Sequence, residues 1–340
     1  MAILGIILIV IGSFSSGTSP WPMKVVKQYK VPEMIFITQF FGLFVVPWVI
    51  FIFICNVPQA YHIIGLKNIL FANIFSLMFG IANVFSIHCL ANIGFVITSV
   101  LCGTTSLIVA TLTPLIFKGT GVFKDAPDIF SPKGIIIIIS LVILLCAIVL
   151  ISIANDQKDK LLGKVGVSGN LTKKQNNIYL FLCVLCGLMA PSLLLLNTYY
   201  GPIFQEAGAG AGCPKEFSSF VLWTFGMLGC IFVNTLYSLF VVIKEKRINN
   251  LFHFGDFIKC VCSGVQYIVY LIIYGYGSVM MGPLGGSVGN AVSQCVMTGG
   301  QQFIGFVFGE WKGVKGKPII LLVIGLILLF TGIIVISLNI

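Results

Sequence analysis

The chain has little charge. Only 9% of its 340 residues are Asp, Glu, Lys or Arg, with 10 acidic and 20 basic groups. None of these lies in the middle of any long apolar stretch, and Glu33, Glu206, Glu216 and Glu310 sit at stretch ends or in loops. An ion pump or a carrier of charged solutes would place a charge in its pathway, so that class is disfavoured. A Walker loop, a cluster of His and acids at metal-ligand spacing, and a Ser-His-Asp set are also missing. The Gly-rich patches follow no strand. No cofactor and no nucleotide site is implied, and the chain does not read as an enzyme. A basic leader is missing too: Met1 runs directly into an apolar run, which is expected to be a retained anchor.

What is present is hydrophobicity, at 58% of residues with a mean hydropathy of +1.07. Hydropathy divides the chain into ten candidate membrane spans near the ~20 residues that a bilayer requires. They are 3–22, 34–55, 69–91, 94–117, 134–154, 177–199, 217–243, 258–281, 283–309 and 318–339. The net charge of +10 implies no nucleic-acid partner, because the basic residues are spread among loops. Loops after odd-numbered spans hold 15 of the 20, counting Lys259 at the rim of span eight, and the other side holds 5. The positive-inside rule puts the first set in the cytoplasm and both termini outside it. On that topology the sequon Asn170-Leu-Thr172 is cytoplasmic and is expected to stay unglycosylated.

Residues 283–309 are long enough to cross a bilayer, yet full of polar groups. At 100° per residue Ser287, Asn290, Gln294, Thr298 and Gln301 fall within an arc of about 80°. Gly285, Gly286, Gly289 and Gly300 lie on the far side. Hydrocarbon offers such a stripe no partners, so one face is expected to meet a cavity and the other a neighbouring helix. The competing reading is interhelical hydrogen bonding alone. Span eight has a similar arc of Ser263, Tyr267, Tyr270, Tyr274 and Ser278. Tyrosine offers an apolar ring and a hydroxyl that donates and accepts, which is what a sugar requires. In span three Asn73, Ser76, Gly80 and Asn83 share an arc, and span four adds Thr105 on a broad polar face. His88 lies off that arc, near the end of span three. It is the candidate for proton coupling, because membrane histidines serve in proton relays. Span one carries Gly12, Ser15, Ser16 and Ser19 on one face. Cys183-x-x-Cys186 has no His or acid nearby and reads as small packing residues.

The charged segment 156–176 divides 1–155 from 177–340 as a cytoplasmic linker. Each half holds five spans, with the third and fourth joined by almost nothing and the fifth strongly apolar. An odd number of spans per repeat inverts the second copy, a common transporter construction with its site between the halves. Pro191 should kink span six, and the Gly-rich 200–216 reads as a mobile loop. The expected fold is all-α: ten transmembrane helices as two inverted five-helix repeats. The expected function is a secondary carrier for a neutral, sugar-like solute in a lipid bilayer. Asn83, Thr105, Tyr267, Tyr270, Tyr274, Asn290, Gln294, Thr298 and Gln301 are expected to bind that solute. Two alternatives are a nucleotide-sugar or drug/metabolite exchanger of an internal membrane and a non-transporting receptor or scaffold. The first would call for a basic residue in the cavity, and the second needs neither an inverted repeat nor a deep polar stripe.

Short motifs add a resemblance. Gly5 and Gly12 through Pro22-x-Lys24, Pro47-Trp48, Phe79-Gly80-Ile81-Ala82-Asn83 and Leu107-Ile108-Val109-Ala110-Thr111-Leu112-Thr113-Pro114 open the series. Tyr274-Gly275-Tyr276-Gly277, Glu310-Trp311-Lys312 and Lys317-Pro318 close it. In order and spacing they resemble the L-rhamnose–proton symporter family of the drug/metabolite transporter superfamily. The match covers spans one to four and eight to ten, and 118–257 agrees in layout alone. The resemblance implies two inverted five-helix repeats and proton-coupled sugar uptake at the cell membrane. It also implies a histidine in span one, where this chain has Ile9, and another after the tyrosines of span eight, where it has Ser278.

Overall fold

A computed structural model describes residues 2–124, 126–163, 172–214, 217–281 and 288–337. Among these the regular structure is helical, as a hydrocarbon environment demands of a backbone that must satisfy itself. Eight helical segments are long and apolar enough to cross a membrane. A ninth appears if the pair α11 (Phe220–Gly226) and α12 (Leu228–Lys244), bent by 50°, counts as one span. The stretch expected at 283–309 appears as α14 (Val288–Val307). Its 20 residues extend about 30 Å, but its polar stripe keeps it out of the apolar set. Ser287, Gly285 and Gly286 lie outside the described residues.

The chain forms two compact units. One comprises Met1–Ile81 and Ser192–Met281 and the other Ala82–Pro191 and Gly282–Ile340, so each draws on both halves of the sequence.

The first unit contains α1 (Ala2–Thr18), α2 (Pro22–Val25), α3 (Val31–Ile37), α4 (Val46–Ile54), α5 (Val57–Ile64) and the first part of α6 (Leu66–Ile93). From the second half of the chain come α10 (Ser192–Gly210), α11, α12 and α13 (Phe254–Met280). A π-helical stretch, Thr38–Val45, joins α3 to α4. It precedes Pro47, whose missing N–H and bulky ring disrupt the ordinary ladder. The expected loop at 200–216 is mostly helix, since α10 runs to Gly210. Tyr200 packs on Phe204 and Phe75, and Ala207 and Gly208 are buried, which extends the helix past Pro202.

Two seams of this unit use corresponding positions. At one, the Thr38 hydroxyl donates to the Cys260 carbonyl at 3.2 Å, and a Cβ on Gly42 would stand 2.6 Å from the Gly264 Cα. At the other, the Asn73 amide donates to the Phe225 carbonyl at 2.7 Å, and a Cβ on Gly229 would stand 2.9 Å from the Leu77 nitrogen. Adding 187 to 38, 42, 73 and 77 gives 225, 229, 260 and 264. Asn73 also accepts from the Gly229 N–H at 2.7 Å, which satisfies the break between α11 and α12.

Loops at the ends of the helices meet in pairs. Following α1, the main-chain N–H groups of Lys27 and Gln28 donate to Asp256, and Tyr29 donates to the Leu251 carbonyl at 2.8 Å. Burial raises the Tyr29 phenol to about 12. Buried Glu33 pairs with Arg247, whose guanidinium also reaches the Gln28 carbonyl. At another corner the Asn56 N–H donates to the Ala211 carbonyl at 3.0 Å, and Gln59 donates to the Gly210 carbonyl at 2.9 Å.

The second unit holds the end of α6 with α7 (Phe95–Ile116), α8 (Pro132–Leu161), α9 (Lys173–Met189), α14 and α15 (Lys317–Ser337). Helix α8, the strongly apolar fifth span, packs one side on α15, where Gly325 meets Ile151 and Gly332 meets Leu144. Its Ile135, Ile139 and Val142 remain exposed. Outside the spans, Asp128 accepts from the Phe130 N–H and from Lys118, which together hold its carboxyl below the usual range.

Glycine placement makes a paired prediction. Gly264→Ala drives a Cβ to 2.5 Å from the Gly42 Cα, where only backbone could yield. A cost of about 1–3 kcal/mol is expected. Gly299→Ala meets nothing within 4 Å and gains up to about 1 kcal/mol of helix propensity. Thermal unfolding in detergent should move in opposite directions for the two variants. Arg247→Ala strands the Glu33 carboxylate, which is 1% exposed, and is expected to cost about 3–5 kcal/mol in the same measurement.

Candidate functional site

Each unit carries part of the expected set. In the first, Tyr267, Tyr270 and Tyr274 stand one above another along α13, as spacings of three and four on a helix require. Their ring centroids are 5.3 Å and 5.5 Å apart, the first pair edge to face and the second tilted. Tyr270 and Tyr274 are buried and Tyr267 is half-buried. At the two ends of this ladder the serines of the same arc are engaged by neighbours. Ser263 donates to the Ser19 carbonyl at 2.8 Å, and Ser278 accepts from the Asn197 amide at 3.1 Å.

Gln266, one position off the arc, does more between helices than any residue singled out in span eight. Its amide donates to the Ser15 carbonyl and to the Thr18 hydroxyl, each at 2.9 Å, and its oxygen accepts from Trp21 at 3.1 Å. The serine face of α1 is thereby turned to packing, since Ser15 in return donates to the Gln266 carbonyl and Ser19 to the Ser16 carbonyl. Close approach makes this feasible: a Cβ on Gly5 would stand 2.7 Å from the Gly277 oxygen. Ile9 and Ser278, the positions where the resemblance implied histidines, are both buried, and Ile9 lies against Gly277 beside Ser278. The one carboxamide in span eight is the signal that could have marked Gln266, because hydrocarbon obliges it to find a partner.

In the second unit α14 is divided by face. Gln294 and Gln301 are exposed, and Asn290 and Thr298 are half-buried. Thr298 turns its hydroxyl to the Gln294 carbonyl at 2.9 Å. The opposite face, with Gly289, Ala291, Val292, Cys295, Val296 and Gly300, is buried. The stripe therefore lies on the open side of the helix and the small residues on the packed side. Gln302, one position past the stripe, is buried. Asn83 is half-buried on α6, and His88 is exposed near that helix's end. Thr105 is engaged by packing: a Cβ on Gly187 would come within 2.5 Å of its own Cβ, so it sits in the seam between α7 and α9.

The second unit also has a charged corner that spacing did not reveal. Lys158, buried in the last turn of α8, lies 3.5 Å from both Glu310 and Asp159 and 5.0 Å from the centre of the Trp311 ring. Among the described residues no group of His, Cys, Asp or Glu is arranged to hold a metal ion.

Long apolar helices, backbone breaks capped by side chains, and polar groups gathered on a few helix faces define a multi-pass integral membrane protein. The family model described as L-rhamnose-proton symport protein (RhaT) matches residues 1–340, and the chain belongs to that family. L-rhamnose-proton symporters of Yersinia pestis bv. Antiqua (strain Antiqua) and of Yersinia pestis (strain Pestoides F) are similar to it. Each is 22% identical, over 337 and 338 residues respectively, which is 95% of this chain and 94% of theirs.

The two faces of α14 should separate in stability. Gln294→Ala and Gln301→Ala, on the open face, should leave thermal unfolding within about 0.5 kcal/mol of the parent. Gln302→Ala, on the packed face, should cost about 1–3 kcal/mol by removing buried side-chain volume and leaving a cavity.

Proposed function

We propose that this protein is a secondary transporter that moves a neutral sugar or similar hydroxylated metabolite across a membrane, coupled to protons, by alternating access. Membership of the symport family over the whole chain carries the reading. The curated relatives named as L-rhamnose-proton symporters make rhamnose the first solute to try. The open polar face of α14 supports it chemically. Carboxamides and a hydroxyl on the exposed side of a membrane helix are too costly against lipid and call for an aqueous pathway. Asn290, Gln294, Thr298 and Gln301 are proposed as its hydrogen-bonding groups, together with Asn83 of α6 and Thr105 of α7. The Tyr267, Tyr270 and Tyr274 ladder is proposed as an aromatic contact for the sugar's C–H faces. His88 is the proposed proton carrier.

Ten spans in two inverted repeats, 1–155 and 177–340 about the linker 156–176, are proposed as the architecture. The offset of 187 that relates both seams of the first unit supports it, because exchanging the halves turns one seam into the other. Loop parity supports it as well. Loops one and seven meet through Glu33 and Arg247, loops two and six through Asn56 and Ala211, and loops five and nine through Lys158 and Glu310. Odd loops meet odd loops and even loops meet even loops, as alternating crossings require. With the basic residues in the odd loops, both termini are proposed to lie on the non-cytoplasmic side of the cell membrane.

Uptake of a panel of labelled neutral sugars into proteoliposomes, with and without an inward proton gradient, tests the proposal. Accumulation of at least one sugar that collapses with a protonophore is expected. Counterflow without accumulation would sink the coupling and keep the carrier. Flux of none of the panel would sink the reading. Gln294→Ala should lower uptake at least tenfold, a loss of about 1.4 kcal/mol of solute interaction, at unchanged protein level.

A further inference from the structure

Cys55 and Cys213 are brought together by two rigid corners of the first unit. Cys55 follows α4 in extended conformation, at φ −144° and ψ 146°, immediately before Asn56 caps α5. Its direction is therefore set from both sides. Cys213 follows the end of α10, where Gly212 adopts φ +79° and the Cys213 N–H returns to the Gly208 carbonyl at 2.9 Å. That left-handed turn needs glycine and fixes where the next side chain points. The main chains of the two corners are joined by the bond from Asn56 to Ala211, and the Cys55 thiol itself lies 3.8 Å from the same Ala211 carbonyl. Each thiol is the other's side-chain hydrogen-bond partner, and both are buried.

This corner stands where the other face of the unit has a different fastening. Exchange of the sequence halves carries loops one and seven onto loops six and two. The first pair is clamped by the buried Glu33–Arg247 ion pair, and the second carries the two thiols. On the proposed orientation the ion pair is cytoplasmic and the thiols face the oxidising side of the membrane, where disulfides form and persist.

We infer that Cys55 and Cys213 form a disulfide bond that fastens the end of α4 to the end of α10. Both are thiols in this structure. In the membrane a disulfide-bonded donor protein of the non-cytoplasmic compartment accepts the two electrons and two protons. One thiolate attacks the donor disulfide, the second displaces the mixed disulfide, and the donor leaves as a dithiol. The bond would close a loop of roughly 160 residues, the long-loop case in which a cross-link constrains the unfolded chain most. This inference rests on the orientation proposed above.

The second unit supplies an internal control. Cys89 faces Cys183 and Cys102 faces Cys186, again as side-chain hydrogen-bond partners. These lie within the spans, with Cys89 and Cys183 toward the cytoplasmic ends, and stay reduced.

Peptide mapping by mass spectrometry of the full-length protein, quenched in intact cells with N-ethylmaleimide before lysis, tests the inference. The expected result is a peptide pair linked through Cys55 and Cys213 that disappears on reduction, with Cys89 and Cys183 alkylated. Alkylation of both Cys55 and Cys213 in unreduced denatured protein overturns the disulfide. Orientation is read separately, from labelling of Thr120→Cys and Lys160→Cys by an impermeant maleimide in the same cells. Labelling at 120 with free Cys55 and Cys213 sinks the disulfide alone. Labelling at 160, with Cys89 linked to Cys183 instead, sinks the orientation with it. Cys55→Ser and Cys213→Ser should each lower the unfolding temperature of unreduced protein, and reductant should bring the parent to the same value. If neither variant folds, the mapping of the parent still decides.

Discussion

Hydrocarbon offers no hydrogen-bond partner, and that constraint runs through every part of this protein. Where a helix is continuous its backbone satisfies itself. Where it is broken, another group must complete it. The break at Met227 shows how: Asn73 donates to the Phe225 carbonyl and accepts from the Gly229 N–H, so one side chain spans the gap between α11 and α12. Polar side chains at the helix seams of the first unit follow the same rule. Gln266 is matched to Ser15, Thr18 and Trp21, and Ser278 to Asn197. A polar group that faces no neighbour is costly against lipid, which sets the open side of α14 apart from the other polar faces.

Glycine decides which helices can meet closely enough for these bonds. Gly42 against Gly264, Gly5 against Gly277 and Gly187 against Thr105 each bring one helix backbone to the surface of another. In a membrane, association without a hydrophobic drive depends on such packing. The buried ion pairs and the thiol pair then fasten loop corners beyond the apolar stretches. Glu33 with Arg247 and Lys158 with Glu310 hold charges at helix ends, where water can reach part of each pair.

Much of this could be read from residue order. The helical class, most of the span positions, the break near Pro191, the two-faced character of α14 and the alignment of the three tyrosines all follow from hydropathy and helical period. The family resemblance followed from short motifs in order. Other features were illegible for physical reasons. The Gly-rich run at 200–210 signals flexibility locally, and only the rings of Tyr200, Phe204 and Phe75 packing together make it helix. In the sequence Thr105 is read from its polar face alone, and only the approach of Gly187 shows that it also packs in the seam between α7 and α9. Lys158 read as an ordinary linker charge until Trp311 and Glu310 closed around it.

The sequence by itself determined that this is a membrane protein, where most of its spans run, and which residues share a helix face. Those properties depend on local composition and a fixed angle per residue. Only the tertiary structure decided which polar faces are spent on neighbouring helices and which stay open. The serines of α1 and the stripe of α14 are alike as patterns. One is consumed by Gln266 and a glycine seam, while the other keeps Gln294 and Gln301 exposed. That outcome depends on which helix comes to lie opposite, and residues 251 positions apart in the chain, as Ser15 and Gln266 are, carry no local mark of it.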